Sequence, residues 1–129
     1  MFEDFPDNIQ WFRYSLTKEE LEKVKYIDYS YWVKLSNETR LPKVAAEEVK
    51  KGTIVFDQSN DNFIEAADAL SKGVSFPTLI LVGKNEDNYL VILEGHVRMT
   101  AYYLAPESIP VEIEVVVGFS DQITQWGLY

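Results

Sequence analysis

Residues 93–102 read L-E-G-H-V-R-M-T-A-Y and gather most of the chemistry this chain can offer. A glycine separates Glu94 from His96, the only histidine, and Arg98 follows one turn on. The apolar run before it predicts a strand over 89–94, which Gly95 breaks. Residues 96–104 then have helical spacing, with Val97, Ala101 and Leu104 on one stripe. The first amides of such a helix have no intrahelical partners, and the helix dipole makes the spot positive. A strand–glycine–helix turn is therefore suited to an anion, and glycine leaves room for a phosphate near the backbone. Arg98 points the same way. A cation in a helix's first turn is unfavourable, and a bound anion reverses that sign. Thr100 and Tyr102 are near enough to add hydroxyl contacts. Glu94 either ligates a metal or caps the helix. Arg98 either grips an anion or pairs with Glu94. His96 either faces a reaction or is a hydrogen-bonded structural histidine.

The elements that must position this turn can be read outward from it. Residues 77–83 (P-T-L-I-L-V-G) form a β-branched and Leu-rich run, as in a strand covered on both faces. With the turn cluster 84–88 it predicts an antiparallel hairpin onto 89–94. Residues 111–117 alternate as V-E-I-E-V-V-V, a strand with one wet face for part of its length. Upstream, Thr17-Lys18-Glu19-Glu20 is a capping box, and the stripe Leu21, Val24, Ile27, Tyr31, Leu35 predicts a helix from Thr17 to about residue 35. Pro42 opens a second helix over 42–51, ended by Gly52. A third is expected over 62–72, with Gly73 in a left-handed cap. Residues 1–15 are aromatic and irregular in period, and read as an arm packed on the body or on a partner. Ser120 could cap a last short helix holding Ile123 and Trp126. Glu47 and Glu48, paired acids on the second helix, are candidates for a carboxylate base or plain solvent-facing residues.

Composition narrows the functions. The 129 residues are the size of one domain, and a 47% hydrophobic content supplies its core. The net charge of −9 disfavours non-specific binding to nucleic acid, which needs many Lys and Arg contacts. A single phosphate pocket needs only one Arg and a few amides. The absence of cysteine removes disulfides, thiolate metal sites and cysteine nucleophiles. The acidic N-terminus lacks the features of a signal peptide, and no apolar run approaches a membrane span. A cytoplasmic location is expected. The element order predicts an α/β (α+β) domain with a small mixed sheet flanked by helices.

The motif G-H-V-R-M-T-A at 95–101 resembles the G-x-x-R-x-x-A signature of the ParB/sulfiredoxin superfamily. Phe76-Pro77-Thr78-Leu79-Ile80 resembles the strand start that precedes it in that family. The resemblance covers about 62–117. It implies a ParB/sulfiredoxin-like fold carrying an added N-terminal helical pair, with 1–56 as arm and helices and 57–129 as the signature-bearing core. It further implies a turn that binds nucleotide phosphates, with Mg²⁺ and ATP or CTP. Gly95, His96, Arg98, Thr100 and Thr78 would contact the nucleotide, Glu94 and His96 would face the reacting phosphate, and Glu94 would hold the metal. Two departures limit this. Sulfiredoxins carry their catalytic cysteine where this chain has His96, so their sulfur chemistry is excluded. The partition proteins carry an acid and an arginine where this chain has His96 and Val97. The readings in competition are a small Mg²⁺-dependent NTPase or phosphotransferase, a non-catalytic regulatory or interaction module, and a ParB-like nuclease, which the acidic charge disfavours. The interaction reading uses the aromatic N-terminal region, Trp11 and Trp32 above all, to bind a second copy or another protein.

Overall fold

Four strands form one mixed sheet in the order β1-β4-β2-β3 in the computed structural model, which describes residues 1–129. They are β1 (Gln10–Thr17), β2 (Leu79–Gly83), β3 (Val91–Glu94) and β4 (Glu112–Phe119). The β2–β3 hairpin is antiparallel, as its turn cluster predicts, with a register shift between Ile80 and Leu81. β4 runs parallel to β2 and antiparallel to β1. Its alternation is realised directly. Ile113, Val115 and Val117 are buried, whereas Glu112 and Glu114 face water.

Two sequence expectations are overturned here. Residues 10–17 are no irregular arm. They form a full edge strand, with Phe12, Tyr14 and Leu16 opposite Val117, Val115 and Ile113. Only Leu16 of this strand is fully buried. Phe12, Tyr14 and Leu16 alternate with Arg13, Ser15 and Thr17 in the period of a half-buried strand, but the signal is masked by the preceding Trp11 and by the capping box that begins at Thr17. The long helix expected from Thr17 also fails. Its capping box forms, with Thr17 N donating to Glu20 Oε1 at 3.0 Å and Glu20 N to Thr17 Oγ1 at 3.2 Å. The helix α1 (Lys18–Leu21) then stops after one turn, and α2 resumes only at Ser30–Leu35. Between them the chain is extended and pairs with β3. Lys25 N donates to Leu90 O at 2.9 Å, and Ile92 N donates to Lys25 O at 2.8 Å. Those bonds cover a sheet edge that would otherwise stand open. The stripe residues Leu21, Val24, Ile27 and Leu35 are buried all the same, because burial rewards an apolar side chain whatever backbone delivers it.

The remaining helices are α3 (Pro42–Lys50), α4 (Asp61–Ser71) and α5 (His96–Leu104). α5 packs against both α3 and α4, and its N-terminus adjoins the end of β3. The main core lies between these helices and one sheet face, and includes Leu79, Leu81, Ile92, Met99, Val115 and Val117. A smaller core on the other face joins Val82 and Val91 to Ile27, Ile123 and Trp126. The expected last helix is a single 3-10 turn (Ile123–Gln125), with Ser120 Oγ accepting from Gln122 N at 3.2 Å. Residues 1–56 thus supply β1 to the same sheet as the later strands. No helix is long and apolar enough to cross a membrane.

Candidate functional site

Gly95 joins β3 to α5 with φ +114°, a conformation that residues with a Cβ rarely adopt. A Cβ there would lie 2.4 Å from Leu79 Cδ2, 3.0 Å from Arg98 Nη2 and 3.2 Å from Arg98 Nε. Glycine is therefore required twice, by its dihedral and by what lies against it. The space a side chain would take is filled by Leu79 and the Arg98 guanidinium. Gly95 caps α5 without any side-chain hydrogen bond, and Met99 N donates to Gly95 O at 2.9 Å. Glu94 does not cap the helix, contrary to one of its two expected roles. It remains in strand register opposite Ile80, with its carboxylate 67% exposed.

Arg98 is the electrostatic centre of the turn. Its side chain is only 20% exposed, and Nη2 stands 3.7 Å from Glu94 Oε1. That distance is an ion pair without a hydrogen bond. Its Nε is buried with no partner at all. A buried donor left unpaired costs roughly 1–3 kcal/mol, so this guanidinium has unused binding capacity.

His96 has a different environment. Its ring stacks on Trp32 at 5.0 Å and on Tyr26 at 5.9 Å. Nε2 accepts a long bond from Ile27 N at 3.4 Å. Burial lowers its pKa to about 4, so the ring is neutral near pH 7. An accepting Nε2 places the proton on Nδ1. Behind it, Thr100 is fully buried. Its hydroxyl donates to His96 O at 2.8 Å and accepts from the Tyr26 hydroxyl. Thr100 thus braces the first turn from inside rather than presenting itself to a ligand.

The other candidates are dispersed. Thr78 is exposed one residue before β2, in a cleft it shares with Phe76 and Tyr102 on the flank of α5. Tyr102 packs its ring on Phe76 at 5.3 Å. Glu47 pairs with Lys50 at 3.2 Å. Glu48 accepts from Lys51 and from Thr53 Oγ1, both at 3.1 Å, and these bonds hold its carboxyl below the usual range. No three His, Asp or Glu side chains come together as metal ligands. Trp11 is exposed on β1, whereas Trp32 is half-buried in the aromatic stack.

The structure adds a feature that the sequence pattern does not disclose. A cleft of about 430 Å³ opens between α2, α4 and the first turn of α5. Tyr29, Trp32, Phe56, Phe63 and Val97 line it. Its one sequence signal is the density of aromatics at Tyr29, Tyr31 and Trp32, which helical periodicity assigns to the core. A larger cavity, about 780 Å³, lies among the chain ends, Ile27 and Trp126, and shares Tyr29 and Trp32 with this cleft. Set against known protein families, curated proteins and solved structures, the chain matches none of them.

Proposed function

We propose that this chain is a ParB/sulfiredoxin-like domain that binds a nucleotide through its phosphates at the Gly95–Arg98 turn. The observation that carries the reading is the buried, unpartnered Nε of Arg98 beside a helix start that no side chain caps. An anion there would pair with the guanidinium, which lies at the positive end of the α5 dipole. The resemblance of residues 95–101 to the G-x-x-R-x-x-A signature supports the same choice of ligand. Glu94 is the one carboxylate at the turn. Mg²⁺ binds through one or two carboxylates plus substrate phosphates, so Glu94 fits a metal carried in with ATP or CTP and does not make a site alone.

The packing favours binding over turnover. His96, the group with an ordinary pKa nearest neutrality, is a neutral ring within an aromatic stack. Glu47 and Glu48 are held by lysines of their own segment. The reading is accordingly a nucleotide-responsive module, with NTPase or phosphotransferase activity the alternative that a turnover assay decides.

A thermal-shift panel of nucleoside mono-, di- and triphosphates, with and without Mg²⁺, tests it. A ligand at 100 times its Kd stabilises by about 2.7 kcal/mol. Arg98→Met should abolish that shift while leaving the free protein at least as stable, because an unpaired buried donor is removed. The proposal fails if no nucleotide shifts the wild type, or if Arg98→Met shifts equally.

A further inference from the structure

The cleft beside the turn has an unusual lining for so acidic a protein. The chain carries a net charge of −9, yet no charged residue borders this cleft. Two large rings stand exposed at it, Tyr29 at 55% and Phe56 at 59%. Single exposed aromatics are ordinary on a protein surface. Two of them bordering one concave space that buried Phe63 and half-buried Trp32 also line form a stacking platform. Phe56 and Asp57 both lie in the left-handed region, at φ +49° and +57°. That backbone is uncommon for a bulky residue, and here it accompanies a ring left at the surface. The polar residues of the lining are neutral. The side-chain amides of Gln58 and Asn62 each offer a donor and an acceptor.

We propose that this cleft seats the planar base of the bound nucleotide, stacked between the rings of Tyr29 and Phe56. The inference rests on the phosphate reading of the Gly95–Arg98 turn. Three features select the occupant. The volume suits one small molecule. The lining suits an uncharged flat ring whose edge both donates and accepts hydrogen bonds. Val97 stands in the cleft wall and directly precedes Arg98 in the first turn of α5, so one turn of helix links the ring site to the anion site. A ligand with a flat neutral end and an anionic end fits both, and a nucleotide has that form.

The test is calorimetric titration of the full chain with ATP, CTP, inorganic tripolyphosphate, adenosine and cytidine. Wild type should bind a nucleotide more tightly than tripolyphosphate. Phe56→Ala and Tyr29→Ala alter exposed rings and should keep the wild-type melting temperature. Each should weaken nucleotide binding by roughly 5- to 150-fold, the range for losing one base–aromatic stack, and leave tripolyphosphate binding unchanged. The inference is overturned if nucleotides bind no more tightly than tripolyphosphate, or if both variants bind nucleotides like the wild type. Nucleosides that bind in a Phe56-dependent way, with no contribution from phosphate, would uphold the cleft and refute the phosphate reading. If no ligand binds, both fall.

Discussion

Replacing Gly95 with alanine separates two costs that the structure places at one residue. The first is the left-handed backbone. Gly52 has φ +84° and nothing within 4 Å of where a Cβ would stand, so Gly52→Ala carries this cost alone. It should destabilise by about 1 kcal/mol. Gly95→Ala carries the same cost and also drives a methyl into Leu79 Cδ2 at 2.4 Å. Leu79 is 2% exposed and belongs to the main core, so it has little room to retreat. Overpacking of this kind costs a further ~1–3 kcal/mol. The sum is roughly 2–4 kcal/mol, a large part of the ~5–15 kcal/mol that holds a domain folded. Urea unfolding of the two variants reads the difference directly, provided the slope with denaturant is unchanged. Leu79→Ala should cost about 1 kcal/mol less in the Gly95→Ala background than in the wild type, which is the coupling between the two sites. If Gly95→Ala and Gly52→Ala agree within about 0.5 kcal/mol, the close approach of Leu79 and Arg98 to Gly95 is wrong.

Two further outcomes follow from the interior of the turn. His96 stays neutral in the folded chain down to about pH 4, while an unfolded histidine takes up its proton near pH 6.5. The unfolded state then binds more protons between those values, so stability falls as pH drops through that window, by up to roughly 3 kcal/mol. His96→Phe keeps a ring in the stack and should remove this component, seen as a pH-dependent difference between the two proteins in urea unfolding from about pH 7 to roughly pH 4.5; a pH-independent difference refutes it. Thr100→Val leaves the buried Tyr26 hydroxyl without its acceptor and should cost about 1–3 kcal/mol, whereas Thr100→Val combined with Tyr26→Phe should cost less than Thr100→Val alone. Simple additivity in that cycle would show that the hydroxyl pair contributes nothing.

The second half of the chain is legible in its sequence because the signals there are local. Residues 77–94 alternate a strand run, a turn cluster and a second run, and Gly95 can take a dihedral that other residues rarely do. β2, β3, α5 and β4 all stand near their expected places. The first half departs from its pattern where long-range pairing overrides local preference. A capping box and a 3.6-residue stripe argue for one long helix, but Lys25 gains sheet bonds from Leu90 and Ile92, far away in sequence. No local periodicity encodes that partner. β1 carries a short alternation, Phe12, Tyr14 and Leu16 against Arg13, Ser15 and Thr17, but the aromatic run before it breaks the period and the capping box at its end argues for a helix instead. At the candidate site, the glycine turn and the helix are foreseeable, whereas the missing Glu94 cap and the burial of Arg98 over Gly95 beside Leu79 are tertiary facts, and the aromatic cleft depends on how α2 and α4 meet α5.

Gly95 itself acquires a different role from the one its sequence suggests. A glycine at a helix start invites the thought that the ligand lies against its bare backbone. Here that space already holds Arg98, whose Nη2 and Nε lie 3.0 and 3.2 Å from where a Cβ would be. The glycine lets the guanidinium lie down over the turn, where Nε loses water and gains no partner. A ligand phosphate would therefore meet the guanidinium first, and the helix amides only where Arg98 yields. Gly95 and Arg98 act as one device on this view. Gly95→Ala should weaken nucleotide binding by displacing Arg98, even at temperatures where the variant is fully folded. Calorimetric titration of folded Gly95→Ala with ATP and CTP reads this, and wild-type affinity in that variant would refute the coupling.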